Sequence, residues 1–227
     1  MDLSIYSEGQ ILLIDKPLTW TSFDVVKKLR YALKVKKIGH AGTLDPLATG
    51  LLLIGTGKFT KKLHDLQGLD KTYTGIIGLG NTTPSYDLET EFENEKSINH
   101  LSDQDIVNAS LKLTGEISQL PPAHSAVKVG GKRAYKLARN NVEVKIDPRQ
   151  VEIKRFDIDK IVGGEVHFSI DCTKGTYIRS IANDFGALLG VGGYLKSLRR
   201  TRIGEHHVDD AADLLEFVNK INQDETD

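Results

Sequence analysis

A glycine-rich segment, residues 39–50, constrains the fold of this chain more than any other stretch, because it suits neither an ordinary helix nor an ordinary strand. Its three glycines permit positive φ angles or the close approach of another backbone, and Pro46 biases Asp45 toward an extended conformation. The unbroken apolar run at residues 51–54 is typical of a buried strand. The sequence therefore predicts a stiff loop, anchored against a core, that presents the Asp45 carboxylate. That carboxylate either caps a turn or acts as a catalytic group on a rigid loop.

The composition is that of an ordinary globular chain. Its 227 residues, 39% of them hydrophobic, are enough to build a core. We find no internal repeat and no linker between independent cores, so we predict a single α+β (mixed α/β) domain over residues 1–227. The lone cysteine, Cys172, excludes a disulfide within the chain and favours a reducing compartment. Because the sequence has neither a basic leader nor a long apolar run, we expect a cytoplasmic protein with no membrane partner.

The charges are distributed unevenly although the formal net charge is only −1. Residues 84–105 hold seven acidic residues against one lysine, and the tail, residues 205–227, holds eight against one. The rest of the chain therefore carries +12. This asymmetry is typical of a polyanion-binding face beside acidic peripheral segments, although a mixed solvated surface would also explain it. On the first interpretation Arg199 and Arg200, in the densest basic run, contribute to a continuous phosphate-binding face.

Regular elements are predicted on both sides of the glycine-rich segment. A helix that begins near Thr21 or Ser22 has an apolar stripe and a basic face. Later patterns predict a strand at 71–79, a helix after Ser102, a hairpin turn at 163–164 and a helix after Tyr177. One more amphipathic helix is predicted in the acidic tail. The basic residues of the first helix and the segment after it are Lys27, Lys28, Arg30, Lys34, Lys36 and Lys37.

The sequence predicts that residues 119–140 form a mobile insertion that binds RNA. Two prolines and two glycines break regular structure there, and several lysines and arginines could neutralise phosphates. We expect this insertion to become ordered when RNA binds. The seven histidines lack metal-ligand spacing, and no glycine-rich segment has the lysine and hydroxyl residue of a phosphate loop. The sequence therefore indicates neither a metal nor a cofactor.

Several segments together resemble the TruB family of bacterial tRNA pseudouridine synthases, over roughly residues 9–204. The Gly-x-x-Gly-Thr-Leu-Asp-Pro pattern within residues 39–50 is highly specific, and the other segments agree in order and spacing. These others are Lys71-Thr72-Tyr73, residues 121–132, Lys174-Gly175-Thr176-Tyr177-Ile178-Arg179 and Leu198-Arg199-Arg200-Thr201.

The resemblance implies isomerisation of uridine 55 in the TΨC loop of tRNA to pseudouridine, by base flipping and without cofactor or metal. It also implies a pseudouridine synthase fold, with a central, mostly antiparallel sheet flanked by helices. Asp45 would be the catalytic aspartate, and three routes stay open for it: attack on the sugar C1′, attack on the uracil C6, or elimination to a glycal. A monomer acting on the tRNA TΨC stem-loop is expected.

The same resemblance assigns roles to further residues. Tyr73 would stack on the target base, and Arg179 would pair with Asp45 and keep it ionised. His40 would contact the RNA where the base has left its stack. The remaining substrate-binding residues are Lys16, Asp87, Tyr177 and Leu198.

Three features depart from the family pattern. Leu18 and Thr19 stand where members usually have a glycine after Lys-Pro, and the usual glycine near Asp87 is missing. The chain ends 23 residues after Gly204, where many members carry a small RNA-binding domain, which predicts a short form with an acidic helical tail.

An alternative is a tRNA-binding or tRNA-folding module whose main role needs no catalysis. An aspartate-dependent hydrolase fits less well, since the sequence lacks a second paired carboxylate.

Overall fold

The computed structural model describes residues 3–123, 128–129, 132–133 and 146–224. The helices are α1 (Ser4–Glu8), α2 (Ser22–Ala32), α3 (Leu63–Gly68), α4 (Asp103–Lys112), α5 (Ile178–Leu188) and α6 (Leu214–Asp224). The longer strands are β1 (Ile11–Lys16), β2 (Ile38–Ala41), β3 (Ala48–Thr56), β4 (Lys71–Leu79), β5 (Gly115–Gln119), β8 (Arg149–Val162), β9 (Glu165–Cys172) and β10 (Gly193–Ile203). The two-residue strands are β6 (Lys128–Val129), β7 (Lys132–Arg133), β11 (His206–His207) and β12 (Ala212–Asp213).

The chain divides into two compact units, which are described separately. Unit 1 comprises Met1–Tyr73 and Leu198–Asp227, and unit 2 comprises Thr74–Ser197. Strands β4 and β10 therefore each contribute residues to both units. The insertion predicted at 119–140 lies mostly outside the described residues, and its predicted mobility is not addressed by them.

Unit 1 is built around β3, whose residues 51–54 are fully buried as predicted. Strand β3 pairs antiparallel with β1 and β2 and parallel with β10, while β12 extends β1 in parallel. Helices α2 and α6 cover this sheet with apolar faces in which Val25, Leu29, Leu214 and Val218 are buried. The core thus includes the part of β3 that directly follows the segment carrying Asp45.

Unit 2 is organised on the long strand β8. It pairs antiparallel with β5 on one side and with β9 on the other. Helix α5 buries Ile181 and Phe185, and the Phe185 ring lies 5.5 Å from that of Phe156 on β8. This packing places the first turn of α5, and with it Arg179, in the interior of the unit.

Most of the local predictions are confirmed. Thr21 caps α2 and Ser102 caps α4, each with a reciprocal box formed by an aspartate three residues later. Gly163 and Gly164 join β8 to β9 with positive φ angles of 55° and 84°. The mixed α/β architecture, with antiparallel pairings in the majority, confirms the predicted fold class. No helix in the described ranges is long and apolar enough to cross a membrane.

Candidate active site

Asp45 lies in a loop that is fixed on both sides of the carboxylate. On one side, the Ser22 hydroxyl donates to the Leu44 carbonyl at 3.0 Å and accepts from the Leu44 N–H at 2.9 Å. On the other, the Pro46 carbonyl accepts the Thr19 N–H at 2.8 Å. A turn closes the loop where the Ala48 N–H donates to the Asp45 carbonyl at 3.1 Å. The predicted anchoring of this loop is confirmed.

Lys16 lies buried beneath the loop at the end of β1. Its ammonium donates to the carbonyls of Pro17 at 2.9 Å, Trp20 at 2.6 Å and Pro46 at 3.5 Å. Burial lowers the pKa of Lys16 to about 8, the nearby Asp45 carboxylate partly offsets this, and the Arg200 charge adds to it. All three ammonium protons have acceptors in the chain, so the geometry makes Lys16 a support of the loop. Its contact with substrate stays a prediction.

The lowered pKa of Lys16 has a consequence for stability. The unfolded lysine has the ordinary pKa of 10.5, so between about pH 8 and pH 10.5 the unfolded chain binds more protons at this site than the folded chain. The contribution of Lys16 to folding stability therefore improves as the pH rises through that window. Near neutral pH the buried charge opposes folding, and the three carbonyl groups offset part of that cost.

Thr19 occupies a backbone conformation that favours glycine. Its φ is 69°, in the left-handed region, at the point where the resemblance leads us to expect a glycine. The chain keeps the turn without the glycine, and the Thr19 N–H still reaches Pro46. The first departure from the family pattern therefore leaves the support of the Asp45 loop intact.

His40 lies half-buried on β2, two residues before Gly42. Burial lowers its pKa, and the positive charge of Arg200 lowers it further, while a hydrogen bond with the Gly42 backbone acts in the opposite direction. Within the described part of the chain, His40 Nδ1 is buried and has no hydrogen-bond partner. These influences favour a neutral imidazole near pH 7.

Tyr73 and Leu198 belong to the same unit as Asp45. Tyr73 is buried on β4, and Leu198, half-buried on β10, pairs with Ala48 in the parallel register with β3. That register places Leu198 beside the end of the Asp45 loop. The proposed base-stacking role of Tyr73 stays a prediction.

In unit 2, Arg179 and Asp87 form a buried ion pair. The distance from Arg179 Nη1 to Asp87 Oδ2 is 3.5 Å, and the two side chains are only 4% and 6% exposed. The same guanidinium nitrogen donates to the Ser85 carbonyl at 3.1 Å, and Asp87 Oδ1 accepts the Glu89 N–H at 3.0 Å. Asp87 is therefore committed to the protein interior. The pairing of Arg179 with Asp45 and the RNA contact of Asp87, both taken from the resemblance, stay predictions.

Tyr177 precedes α5 and is held by a residue that the sequence did not single out. Its N–H donates to Gln119 Oε1 at 2.8 Å, and its carbonyl accepts from Gln119 Nε2 at 3.1 Å. The Arg149 guanidinium lies 5.7 Å from the centre of the Tyr177 ring, within the range of a cation–π contact. Gln119 thus orients the start of the helix that carries Arg179.

The prediction that Arg200, in the basic run on β10, contributes to a phosphate-binding face is wrong. Arg199 is half-exposed and forms a bidentate pair with Asp15, at 3.0 Å and 2.6 Å, but Arg200 is only 1% exposed. The buried guanidinium of Arg200 faces the Asp45 loop and cannot neutralise phosphates. A period of two along this run was the only sequence signal that could have separated the two arginines, since neighbours on a strand face opposite sides.

Comparisons with known proteins agree with the motifs. Residues 30–178 match the family described as TruB family pseudouridylate synthase (N terminal domain). A protein of Flavobacterium johnsoniae named tRNA pseudouridine synthase B is 51% identical over 223 residues, which cover 95% of this chain and 97% of the relative. One of the same name from Chlorobaculum tepidum is 49% identical over 227 residues, with 97% and 95% covered.

Solved structures support the same fold. A Cbf5-Nop10-Gar1 complex matches with a TM-score of 0.73 and 27% identity, covering 96% of this chain and 56% of the matched chain. The archaeal box H/ACA sRNP Nop10-Cbf5 complex matches with a TM-score of 0.71 and 25% identity. This chain spans about half the length of those matched chains, 55% in the second case. With the family matched over most of the sequence and the fold shared, the chain belongs to the TruB family of pseudouridylate synthases, which are isomerases.

Proposed function

We propose that this chain isomerises uridine 55 in the TΨC loop of tRNA to pseudouridine, with Asp45 as the catalytic carboxylate. The observation that carries the proposal is the anchoring of Asp45, whose neighbours Leu44 and Pro46 are both held by hydrogen bonds from outside the loop. A carboxylate fixed in this way is preorganised for reaction, which a surface turn would not need. Relatives named tRNA pseudouridine synthase B, at about half identity, support tRNA as the substrate.

The reaction requires few protein groups beyond a positioned carboxylate. The N1–C1′ bond of uridine breaks, a C5–C1′ bond forms, the C5 proton is lost and N1 gains one, so no electrons enter or leave. A carboxylate can attack and leave again, or take up a proton, which suits each of the three open routes for Asp45. The target base lies in a folded loop and must be flipped out before it can react.

The other site residues have proposed roles in that process. Tyr73 would stack on the flipped uracil, with Leu198 lining the same pocket and Tyr177 contacting the substrate. His40 would meet the RNA where the base has left, and a neutral imidazole suits stacking against the exposed bases. Arg179 would orient the Asp45 carboxylate, with Asp87 holding the guanidinium from its other side. Lys16 completes the proposed set.

We propose a monomer that works in the cytoplasm. The lone cysteine, Cys172, is buried on β9, where a reduced thiol acts as a small apolar side chain. This suits a reducing compartment.

The decisive experiment is incubation of purified protein with unmodified tRNA, followed by mapping of pseudouridine at each position. We expect modification at position 55 and at no other site of the TΨC loop. Modification at a different position would contradict the proposed specificity, and no modification at all would contradict the proposed reaction. A tRNA with cytidine at position 55 is the matched control substrate and should remain unchanged.

The exposed cations after α2 provide a prediction about RNA binding. Lys36 and Lys37 are exposed just before β2, so they can reach phosphates near His40. Replacing both with alanine should weaken tRNA binding and lower the slope of log affinity against log salt by about two, because each phosphate contact releases a condensed counterion. Fluorescence titration from low to high salt measures both quantities.

Asp209 and Asp210 provide the matched control for that experiment. Both are exposed and belong to the acidic tail. Changing both to asparagine alters the net charge by the same amount in the opposite direction, and we expect little effect on the slope. Responses of equal size and opposite sign in the two double variants would point to net charge alone and would argue against a phosphate-binding face near His40.

A further inference from the structure

A single buried arginine binds both ends of the loop that carries Asp45. Arg200 Nε donates to the Leu51 carbonyl at 2.8 Å, and Arg200 Nη2 donates to the Gly42 carbonyl at 3.1 Å. Gly42 is the residue at which the chain leaves β2, and Leu51 lies within the buried part of β3. One planar guanidinium therefore spans the opening and the closing of the loop.

The backbone of Arg200 is equally tied to the loop. Arg200 pairs with Gly50 in the parallel register between β10 and β3. Gly50 has a φ of 103°, and a side chain there would come within 2.3 Å of the Arg200 carbonyl oxygen. Only glycine permits this approach, so the third glycine of the predicted loop is explained by Arg200.

The charge of Arg200 is unusual for a residue with a purely structural role. Its side chain is 1% exposed, and within the described residues no carboxylate forms an ion pair with it. The positive charge of Arg200 contributes to lowering the pKa of two neighbouring basic groups, Lys16 and His40. Burying a cation without a counterion destabilises the folded state, and an apolar side chain of the same volume would destabilise it less.

We propose that Arg200 is a positioning residue for catalysis, whose guanidinium fixes the span of the Asp45 loop by holding the Gly42 and Leu51 carbonyls together. The inference rests on the proposed function of Asp45. Ser22, Thr19 and Lys16 hold the residues next to Asp45, whereas Arg200 sets the distance between the ends of the loop. Lysine is not equivalent, because its ammonium donates from one nitrogen, whereas the rigid guanidinium donates from two nitrogens held at a fixed spacing.

The test compares Arg200→Lys and Arg200→Met with Arg199→Met. Arg199 is the matched control, since it is the adjacent arginine on the same strand and pairs with Asp15 on the outer side. In both Arg200 variants, amide hydrogen exchange at residues 43–49 should accelerate by about tenfold or more, while exchange in α5 of the other unit stays unchanged. Arg199→Met should leave residues 43–49 as in the wild type. Wild-type exchange rates in the Arg200 variants would overturn the proposal.

One kinetic and one spectroscopic readout distinguish a positioning role of Arg200 from a purely structural role. Arg200→Lys should lower kcat by about 100-fold, since a misplaced catalytic group costs that much, with KM for tRNA nearly unchanged. The pKa of His40, followed by NMR, should rise toward its ordinary value in Arg200→Met and stay low in Arg200→Lys, which retains the charge. A fall in kcat without faster loop exchange would refute the assignment.

Loop exchange and the pKa of His40 test Arg200 whether or not uridine 55 is the substrate. If the wild type forms no pseudouridine, the proposed function fails while loop exchange and the pKa of His40 still test Arg200. If both Arg200 variants fail to fold, exchange of the Nε proton in the wild type decides the question. We expect this proton to exchange slowly in Arg200 and much faster in the half-exposed Arg199, and rapid exchange in Arg200 would overturn the proposal.

Discussion

Asp45→Asn is expected to abolish pseudouridine formation while leaving the affinity for tRNA within several-fold of the wild type. The amide is nearly the same size as the carboxylate, and the neighbouring anchors at Leu44 and Pro46 involve only backbone groups of the loop. The fold of the loop should therefore survive. An amide is a poor nucleophile and a poor base, so the chemistry should fail on any of the three routes.

Single-turnover kinetics with excess enzyme measure the chemical step, and filter binding measures the affinity. Asp65→Asn is the matched control, because it makes the same change on an exposed carboxylate of α3 in the same unit. We expect wild-type rates for that variant. Substantial turnover by Asp45→Asn would remove Asp45 from the chemistry.

The same variant separates the enzyme from the alternative of a tRNA-binding or tRNA-folding module. A module that only binds or refolds tRNA would keep its effect on tRNA structure in Asp45→Asn, since the exposed cations that are expected to attract RNA are untouched. If Asp45→Asn accelerates the refolding of a misfolded tRNA as well as the wild type does, both activities reside in one chain. If refolding is lost together with isomerisation, any benefit to tRNA depends on catalysis.

The parts of the fold that the sequence predicted correctly depend on local interactions. The capping boxes at Thr21 and Ser102 involve residues three positions apart, and the hairpin at 163–164 needs only positive φ at two glycines. The Asp45 loop was predictable for the same reason, because glycine and proline restrict the backbone wherever they occur.

The features that the sequence did not predict depend on contacts between distant parts of the chain. Arg200 is buried because it bonds to Leu51, 149 residues away, and its run of cations gave no sign that one member faces inward. Gln119 holds Tyr177 across 58 residues. Pairings of this kind are set by strand register, which a single sequence specifies only through the completed core.

The structure suggests a supporting role for Asp87 beside the RNA contact that the resemblance implies, which stays a prediction. Asp87 has a buried partner 92 residues away, Arg179. Because Arg179 lies in the first turn of α5 and is expected to reach toward Asp45, a carboxylate behind it would support catalysis without meeting the substrate. Stability measurements can distinguish this supporting role from RNA contact.

Asp87→Ala is expected to destabilise the protein by about 3–5 kcal/mol, because it breaks a buried ion pair with the Arg179 guanidinium. Chemical denaturation followed by circular dichroism gives the free energy of unfolding. Glu165→Ala is the matched control in the same unit, since Glu165 pairs with Lys196 at the surface and its loss should cost much less than that of Asp87.

The double variant Asp87→Leu with Arg179→Met completes the argument. Replacing a buried pair by apolar side chains of similar volume is often neutral or even stabilising, so the double variant should recover most of the stability lost in Asp87→Ala. It should nevertheless remain inactive, because it lacks the guanidinium expected to orient Asp45. If stability recovers and activity does not, Asp87 and Arg179 act together in supporting catalysis. A double variant as unstable as Asp87→Ala would show instead that the charges themselves hold this part of unit 2 together.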